Sequence, residues 1–339
     1  MTKTHHNWRR AAMIWAALFI LLLVTVAVCL MAGQEHVDLR HAFHSDSGEF
    51  NVDRQILLIA RLPRVLFAVV AGAALALAGA VYQALLRNDL ADPYTLGVSG
   101  GASFGAVLIL NFASLSILPY LLPLGVFAMA LLTVAAIQWL AQLRNAAGGS
   151  TRLVLAGVTL NMLFGAAILL VEYLSDPHET FTIIRWTMGG TDVGSLGKVG
   201  FSALILMLAS AFILPRAGAM NLFTLGDTTA AHLGVDVRRE RRALLAAASL
   251  LAAGIVAYAG PIGFIGLLVP HALRLILGPD HRVLLPATLF SGGTFLVVCD
   301  TLGRTIRYPL ELPVGIVTAF LGAPFFLWLL FRRAPGERA

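Results

Sequence analysis

AMIWAALFILLLVTVAVCLMA, residues 12–32, decides the fold class of this chain. These 21 residues carry no charge, and as a helix rising 1.5 Å per residue they just cover the roughly 30 Å hydrocarbon core of a bilayer. Backbone polar groups in hydrocarbon must be satisfied internally, so a spanning segment is a helix or part of a closed barrel. Barrel strands alternate apolar and polar residues over about ten positions, and this run does not alternate. Lys3, Arg9 and Arg10 precede it, as in the leader of a signal peptide. The run is too long for a signal core, however, and further apolar runs follow, so it reads as a retained first span.

The same character recurs along the whole chain. Of its 339 residues, 58% are hydrophobic and only 12% are charged, with a mean hydropathy of +0.84; a soluble domain carries about 25% charged residues. Apolar runs broken at Gly, Pro and charge clusters fall at 12–32, 64–86, 95–112, 117–140, 152–174, 199–215, 243–259, 263–277, 283–302 and 313–331. The eighth is short and interrupted by Pro270. The expectation is an all-α polytopic transmembrane bundle of about ten spans, a single domain over 1–339.

The formal charge of +6 is explained by topology rather than by a nucleic-acid partner. With the N-terminus inside, 16 of the 24 Lys and Arg fall in cytoplasmic segments and 8 outside, as the positive-inside rule requires. An even number of spans returns the C-terminus to the cytoplasm, and the expected location is a bacterial inner membrane, in contact with lipid. Glu35, Asp38, Asp46, Glu49 and Asp53 gather in the first outer loop, while Glu172, Asp300 and Glu311 lie near outer span ends. The spans are otherwise almost free of ionisable groups. A stand-alone ion-coupled transporter needs a carboxylate or a broken helix at mid-depth, so the energy source is expected on another chain.

Catalytic and metal chemistry find little support. Cys29 and Cys299 both sit in apolar segments and form neither a disulfide framework nor a zinc spacing. His36, His41 and His44 share the first outer loop with Asp46 and Glu49, but loop histidines are more often solvated than metal-bound, and His271 beside Pro270 reads as structural. No HExxH, phosphate-binding Gly-rich loop with Lys, or Gly-x-Ser-x-Gly is present. No metal, no bound cofactor and no enzymatic activity are expected.

Three features suit a transport subunit with partners. The stretch RAGAMNLFTLGDTTAAHLGVDVRRERR, 216–242, is the longest non-apolar cytoplasmic segment. Between Phe223 and Gly234 it predicts two short helices broken near Gly226, with Asp227 as cap of the second and Gly234 as its end. Such a pair either docks into a partner's groove or is a solvated loop. Small residues Gly72, Ala73, Ala76, Gly79 and Ala80, then Gly97, Gly100, Gly101 and Gly105, allow close helix packing in lipid or line a translocation path. Finally, Arg61, Arg64, Arg304 and Arg307 are basic residues on the outer face, against the prevailing bias. They pair either with carboxylates of an external partner or locally with Asp300, Glu311 or lipid phosphate.

Three longer stretches resemble a known family. RLPRVLFAVVAGAALALAGAVYQALLRNDLADPYTLGVSGGASFGA (61–106), LGDTTAAHLGVDV (225–237) and AGPIGFIGLLVPHALRLILGPDHRVLLPA (259–287), continued by ELPVGIVTAFLGAPFFLWLL (311–330), resemble the FecCD-type permeases of type II ABC importers for iron-siderophores, haem and vitamin B12. The resemblance implies a homodimer with the pathway at the subunit interface, two copies of a separate ATPase that uses ATP on the cytoplasmic side, and a periplasmic binding protein outside. It assigns ATPase coupling to Leu225, Gly226, Asp227, Ala230, Ala231, Leu233, Gly234 and Val235. Binding-protein docking goes to Arg61, Arg64 and Arg304, with Arg307 added by position alone. IIRWTMGGTDVGSL, around Trp186 and Gly189, resembles the family's Trp-containing turn. An iron(III) chelate, siderophore or haem, is the favoured cargo, with cobalamin as the alternative.

Overall fold

A computed structural model describes residues 2–33, 51–94, 96–112, 118–142, 149–307 and 309–332. Among these the chain is helical, without a strand. His36, His41 and His44 lie outside the described residues.

Seven helices are long and apolar enough to cross a membrane, and three shorter apolar helices, Val98–Phe112, Ile265–Leu277 and Val314–Leu329, accompany them. Each of the ten expected spans has a helical counterpart. In chain order we label α1 (Thr2–Met31), α2 (Val52–Leu86), α3 (Val98–Phe112), α4 (Leu118–Gln142), α5 (Gly149–Leu174), α6 (Pro177–Thr187), α7 (Leu196–Ile213), α8 (Ala217–Thr224), α9 (Asp227–His232), α10 (Val237–Ala259), α11 (Ile265–Leu277), α12 (His281–Thr305) and α13 (Val314–Arg332).

The largest departure from expectation is α2. It starts at Val52 rather than at 64, and its 35 residues reach about 52 Å, well beyond the hydrocarbon core. Asp53, Arg54 and Arg61 depress the hydropathy of this first part, and Pro63 resembles a boundary. Pro63 instead occupies the first turn of the regular helix, after a π-helical stretch Ile56–Arg61; there a missing N–H costs little. A second departure is α6, an eleven-residue helix where only a turn was expected. Its start is set by Asp176, whose N–H donates to the Glu179 carboxylate at 3.3 Å, and by Pro177 in the first turn.

The bundle is built around α2, which packs against α12, α10, α11 and α7. Of its most apolar window 83% is buried, against 6% for α5 and 11% for α1. This contrast follows from residue size. α2 presents Gly72, Ala76 and Gly79 to its neighbours, so backbones approach within reach of dispersion contact. A β-carbon on Gly72 would overlap the Gly292 carbonyl of α12, and one on Gly79 would overlap Gly266 of α11. Gly97, Gly100 and Gly101 likewise face Gly157, Asn161 and Thr133 of α5 and α4. These glycines sit in helix packing and line neither of the cavities described below. α5, by contrast, turns Met162, Leu163, Leu169, Leu170, Tyr173 and Leu174 outward, an apolar surface that only hydrocarbon or another protein can cover without cost.

Candidate functional site

The candidate residues gather at the two ends of the bundle and in the space between them. At one end lie α8 and α9. The chain enters α8 through Leu214–Arg216, a 3-10 turn, and Ala217, Met220 and Phe223 insert into the core. Gly226, at φ +108°, makes the break into α9, a conformation that L side chains rarely adopt. Ala230 is buried, whereas Ala231, Leu233 and Gly234 are exposed. Leu225 is 61% and Leu233 58% exposed, so two leucines stand uncovered at the break and at the end of α9. Gly234, at φ +87°, follows the end of α9 as expected, and the Val235 N–H returns to the Ala230 carbonyl at 3.1 Å.

Asp227 corrects the sequence reading. It stands at the first position of α9 with Gly226 as the capping residue, and its side chain does not cap the helix. It accepts instead from Arg241 of α10, Nη1 to Oδ2 at 2.9 Å and Nη2 to Oδ1 at 2.7 Å, and from Arg87 at 3.1 Å. Hydrogen bonding from Arg241, opposed by partial burial and assisted by the charges of Arg241 and Arg87, holds its carboxyl below the usual carboxylate range. Arg87 closes α2 in the left-handed conformation, φ 49°. One carboxylate thus ties the exposed pair α8–α9 to the C-terminus of the central helix and to α10. A second tie runs through Asn221 of α8, which donates to Asp280 at 2.7 Å and accepts from the His281 N–H at 2.9 Å at the start of α12.

At the opposite end, the four outer arginines divide. Arg61 is 5% and Arg304 4% exposed. Arg61 donates to the carbonyls of Leu30 and Met31 at 3.1 Å each, and Arg304 to those of Cys29 and Ala32 at 3.4 and 3.5 Å. Both therefore close the C-terminus of α1, satisfying carbonyls that have no intrahelical partner and facing the negative end of its dipole. In the single chain both guanidiniums are turned inward, against the end of α1. Arg64 bridges Asp300 at 2.9 Å and Glu311 at 2.7 Å. Asp300, 1% exposed, also pairs with Arg304 at 3.0 Å and accepts from the Thr191 hydroxyl. Arg307 alone of the four is exposed. The sequence already offered the ion pairs through Asp300 and Glu311, but nothing in it showed that α1 ends against Arg61 and Arg304.

Among the described residues, two of the cavities along the bundle adjoin these candidate residues. The first, about 330 Å³, opens beside the Arg64 cluster and is lined by Arg185, Asp192 and Glu311 among others. The second, about 460 Å³, is mostly apolar, with Tyr94, Met188, Phe264, Leu267 and Phe320 on its wall and Asp92 as its one charged lining residue among those described. Between their walls the end of α6, the break before α11 and the start of α13 meet with little side chain between them. Gly190 donates to the Ala259 carbonyl at 2.7 Å, Gly260 lies against the Trp186 carbonyl, and Gly315 against the Met188 carbonyl. The expected turn around Trp186 and Gly189 is thus part of a joint between two cavities. Among the described residues no cluster of His, Cys, Asp and Glu could hold a metal ion.

Comparison with known proteins agrees with this architecture. The family model described as the FecCD transport family matches residues 21–332. The hemin transport system permease protein HmuU of Yersinia pestis is 42% identical over 292 residues, covering 82% of this chain and 84% of its own. The cobalamin import system permease protein BtuC of Halobacterium salinarum is 42% identical over 274 residues, covering 80% and 72%. A solved structure described as an inward-facing conformation of a metal-chelate type ABC transporter superposes with a TM-score of 0.82 at 31% identity, over 95% of this chain and 99% of that one. With its ten apolar helices and these relatives, this is a membrane protein, and the chain belongs to the FecCD transport family.

Proposed function

We propose that this chain is the permease subunit of an ABC importer that carries an iron(III) chelate across the inner membrane. In this reading two copies form the pathway, two copies of a separate ATPase bind the α8–α9 side, and a periplasmic binding protein delivers cargo at the Arg64 side. Both termini are cytoplasmic, and the subunit performs no bond chemistry. The observation that carries the reading is Asp227. It lashes a helix pair with exposed Leu225 and Leu233 to Arg87 at the end of the central helix and to Arg241 of α10. A partner that grips those leucines moves the buried helix, because close-packed interiors transmit displacement instead of absorbing it. Relatives transporting hemin and cobalamin support a large chelate as cargo, with cobalamin as the second reading.

On the outer side the docking proposal rests on Arg307 and on the exposed edge of the Arg64–Glu311 pair. Arg61 and Arg304 contribute by holding α1 in place. The test is ATP hydrolysis by membranes carrying this chain with its ATPase. Loaded binding protein is expected to accelerate it, and a rate indifferent to binding protein would sink the reading. Uptake by this chain alone under an ion gradient would instead favour a secondary transporter.

A further inference from the structure

The first two turns of α10 carry an inference that rests on the importer reading only for the side of the membrane on which they lie. This 23-residue helix opens with the run VRRERR, 237–242, and the fold uses only part of that charge. Arg241 holds Asp227, and Glu240 takes Arg216 at 3.2 Å. The Asp236 carboxylate caps the helix by accepting from the Arg239 N–H at 3.1 Å. Elsewhere at this end of the bundle, Arg87 and Arg274 each meet a carboxylate. Arg238, Arg239 and Arg242 are exposed and make no ion pair among the described residues. Like charges three or four residues apart on a helix repel, and these stand at the positive end of its dipole. An anion from outside the chain therefore stabilises this end.

The same face of α10 continues upward as a surface for hydrocarbon. Ala253 and Ala257 pack with Val126 and Ala130 of α4, while Gly254 and Tyr258 lie against Ile205 and Phe201 of α7. Between those contacts, at 3.6 residues per turn, Arg239, Arg242, Ala246 and Leu250 fall within a sector of roughly 80°. All four are exposed, and Leu250 stands about 12 Å along the axis from Arg242. Ile137 and Gln138 of α4 share a small pocket with Leu245 of α10, so Trp139, 62% exposed, stands near the height of Leu245. Tryptophan gathers where hydrocarbon gives way to headgroups. An acidic patch on a soluble partner would meet the arginines and leave Leu250 uncovered. A phospholipid with a negative headgroup covers both.

We propose that this face binds an anionic phospholipid of the inner leaflet, with its phosphate on Arg238, Arg239 and Arg242 and an acyl chain along Ala246 and Leu250. The test is binding to the purified full chain in neutral detergent, read by native mass spectrometry. The probes are phosphatidylglycerol, phosphatidylcholine and glycerol 3-phosphate. Phosphatidylglycerol is expected to bind on the order of tenfold more tightly than either of the others. Arg239→Gln and Arg242→Gln each weaken it about fivefold, and the double variant roughly 25-fold. Lys198→Gln, the same charge change at the far end of α7, alters nothing. The graded single variants carry the test if the double variant fails to fold. Equal binding of phosphatidylcholine, or unaltered phosphatidylglycerol affinity in the arginine variants, would overturn the proposal. Equal binding of glycerol 3-phosphate would overturn it too, by showing a site for free phosphate. So would variants that keep the lipid and lose only the ATPase on co-purification, since the arginines would then serve that partner. Stimulation of the ATPase by binding protein, measured on the parent complex, separates the two conclusions: if it is missing while the lipid selectivity holds, only the importer reading fails.

Discussion

Arg241 grips both carboxylate oxygens of Asp227, at 2.9 and 2.7 Å, so α9 and α10 are joined by a two-point ionic clasp and not by a flexible loop. A bidentate pair fixes orientation as well as distance. Asp227→Asn keeps the size but loses one acceptor and the charge. It is expected to leave the ATPase bound through Leu225 and Leu233 while lowering cargo moved per ATP hydrolysed. Co-purification and simultaneous uptake and hydrolysis measurements check this; an unchanged ratio would remove Asp227 from the coupling path.

The same clasp gives a pH dependence with a defined sign. The Asp227 carboxyl lies below its ordinary value in the folded chain, so the folded state binds fewer protons than the unfolded state over that interval. The stabilisation is full above the unfolded pKa of about 4 and is lost as pH falls through the folded value. Thermal unfolding of the detergent-purified chain between pH 7 and pH 3 is expected to show an acid loss that is smaller in Asp227→Asn. At neutral pH no change with pH is expected from this group.

How much of this was legible in the sequence depended on the range of the interaction. The ten apolar helices were visible because hydrophobicity is a local property, as in residues 12–32. The α8–α9 break was visible because Gly226 and Gly234 mark backbone conformations directly. What stayed hidden was tertiary. Asp227 resembled a cap because aspartate at that position commonly is one, yet two arginines at sequence distances of 14 and 140 claim its carboxylate. Arg61 and Arg304 resembled surface charges, since nothing local announces that the carbonyls of Leu30 and Cys29 lie beside them. Val52–Arg61 was missed because charged residues interrupt its hydropathy while the helix continues.

The glycine contacts of α2 give a paired prediction. At Gly79 a β-carbon meets the backbone of Gly266, whereas at Gly165 of α5 nothing lies within 4 Å. Gly79→Ala forces two helix backbones apart and is expected to cost about 1–3 kcal/mol. Gly165→Ala removes backbone freedom from the unfolded chain and is expected to gain roughly 0.5–1 kcal/mol. Unfolding in graded denaturing detergent should separate the two variants in opposite directions from the parent.

The two classes of outer arginine separate by stability and by salt. Arg61→Ala leaves the last carbonyls of α1 without their charged donor, and such bonds contribute about 1.5–3 kcal/mol. A lower Tm is therefore expected, with faster hydrogen exchange at the end of α1. Arg307→Glu, exposed, should leave Tm within about 0.5 kcal/mol of the parent. It is expected to slow association with the binding protein, most strongly at low salt. If Arg307→Glu associates normally across salt concentrations, docking lies elsewhere on this face.

Asp300 provides the most demanding case. Its carboxylate, 1% exposed, is shared by Arg64 at 2.9 Å and Arg304 at 3.0 Å, and Thr191 donates to it as well. Asp300→Leu breaks the buried ion pairs to Arg64 and Arg304, and breaking a buried pair by removing one partner costs about 3–5 kcal/mol. Removing Arg304 together with Asp300 removes both members of their ion pair and should cost less than the two single losses together, because groups in contact are coupled and their effects do not add. Arg64 retains Glu311 and so remains compensated in the double variant. A double-mutant cycle on Tm tests this. If the two losses simply sum, Asp300 and Arg304 are not coupled.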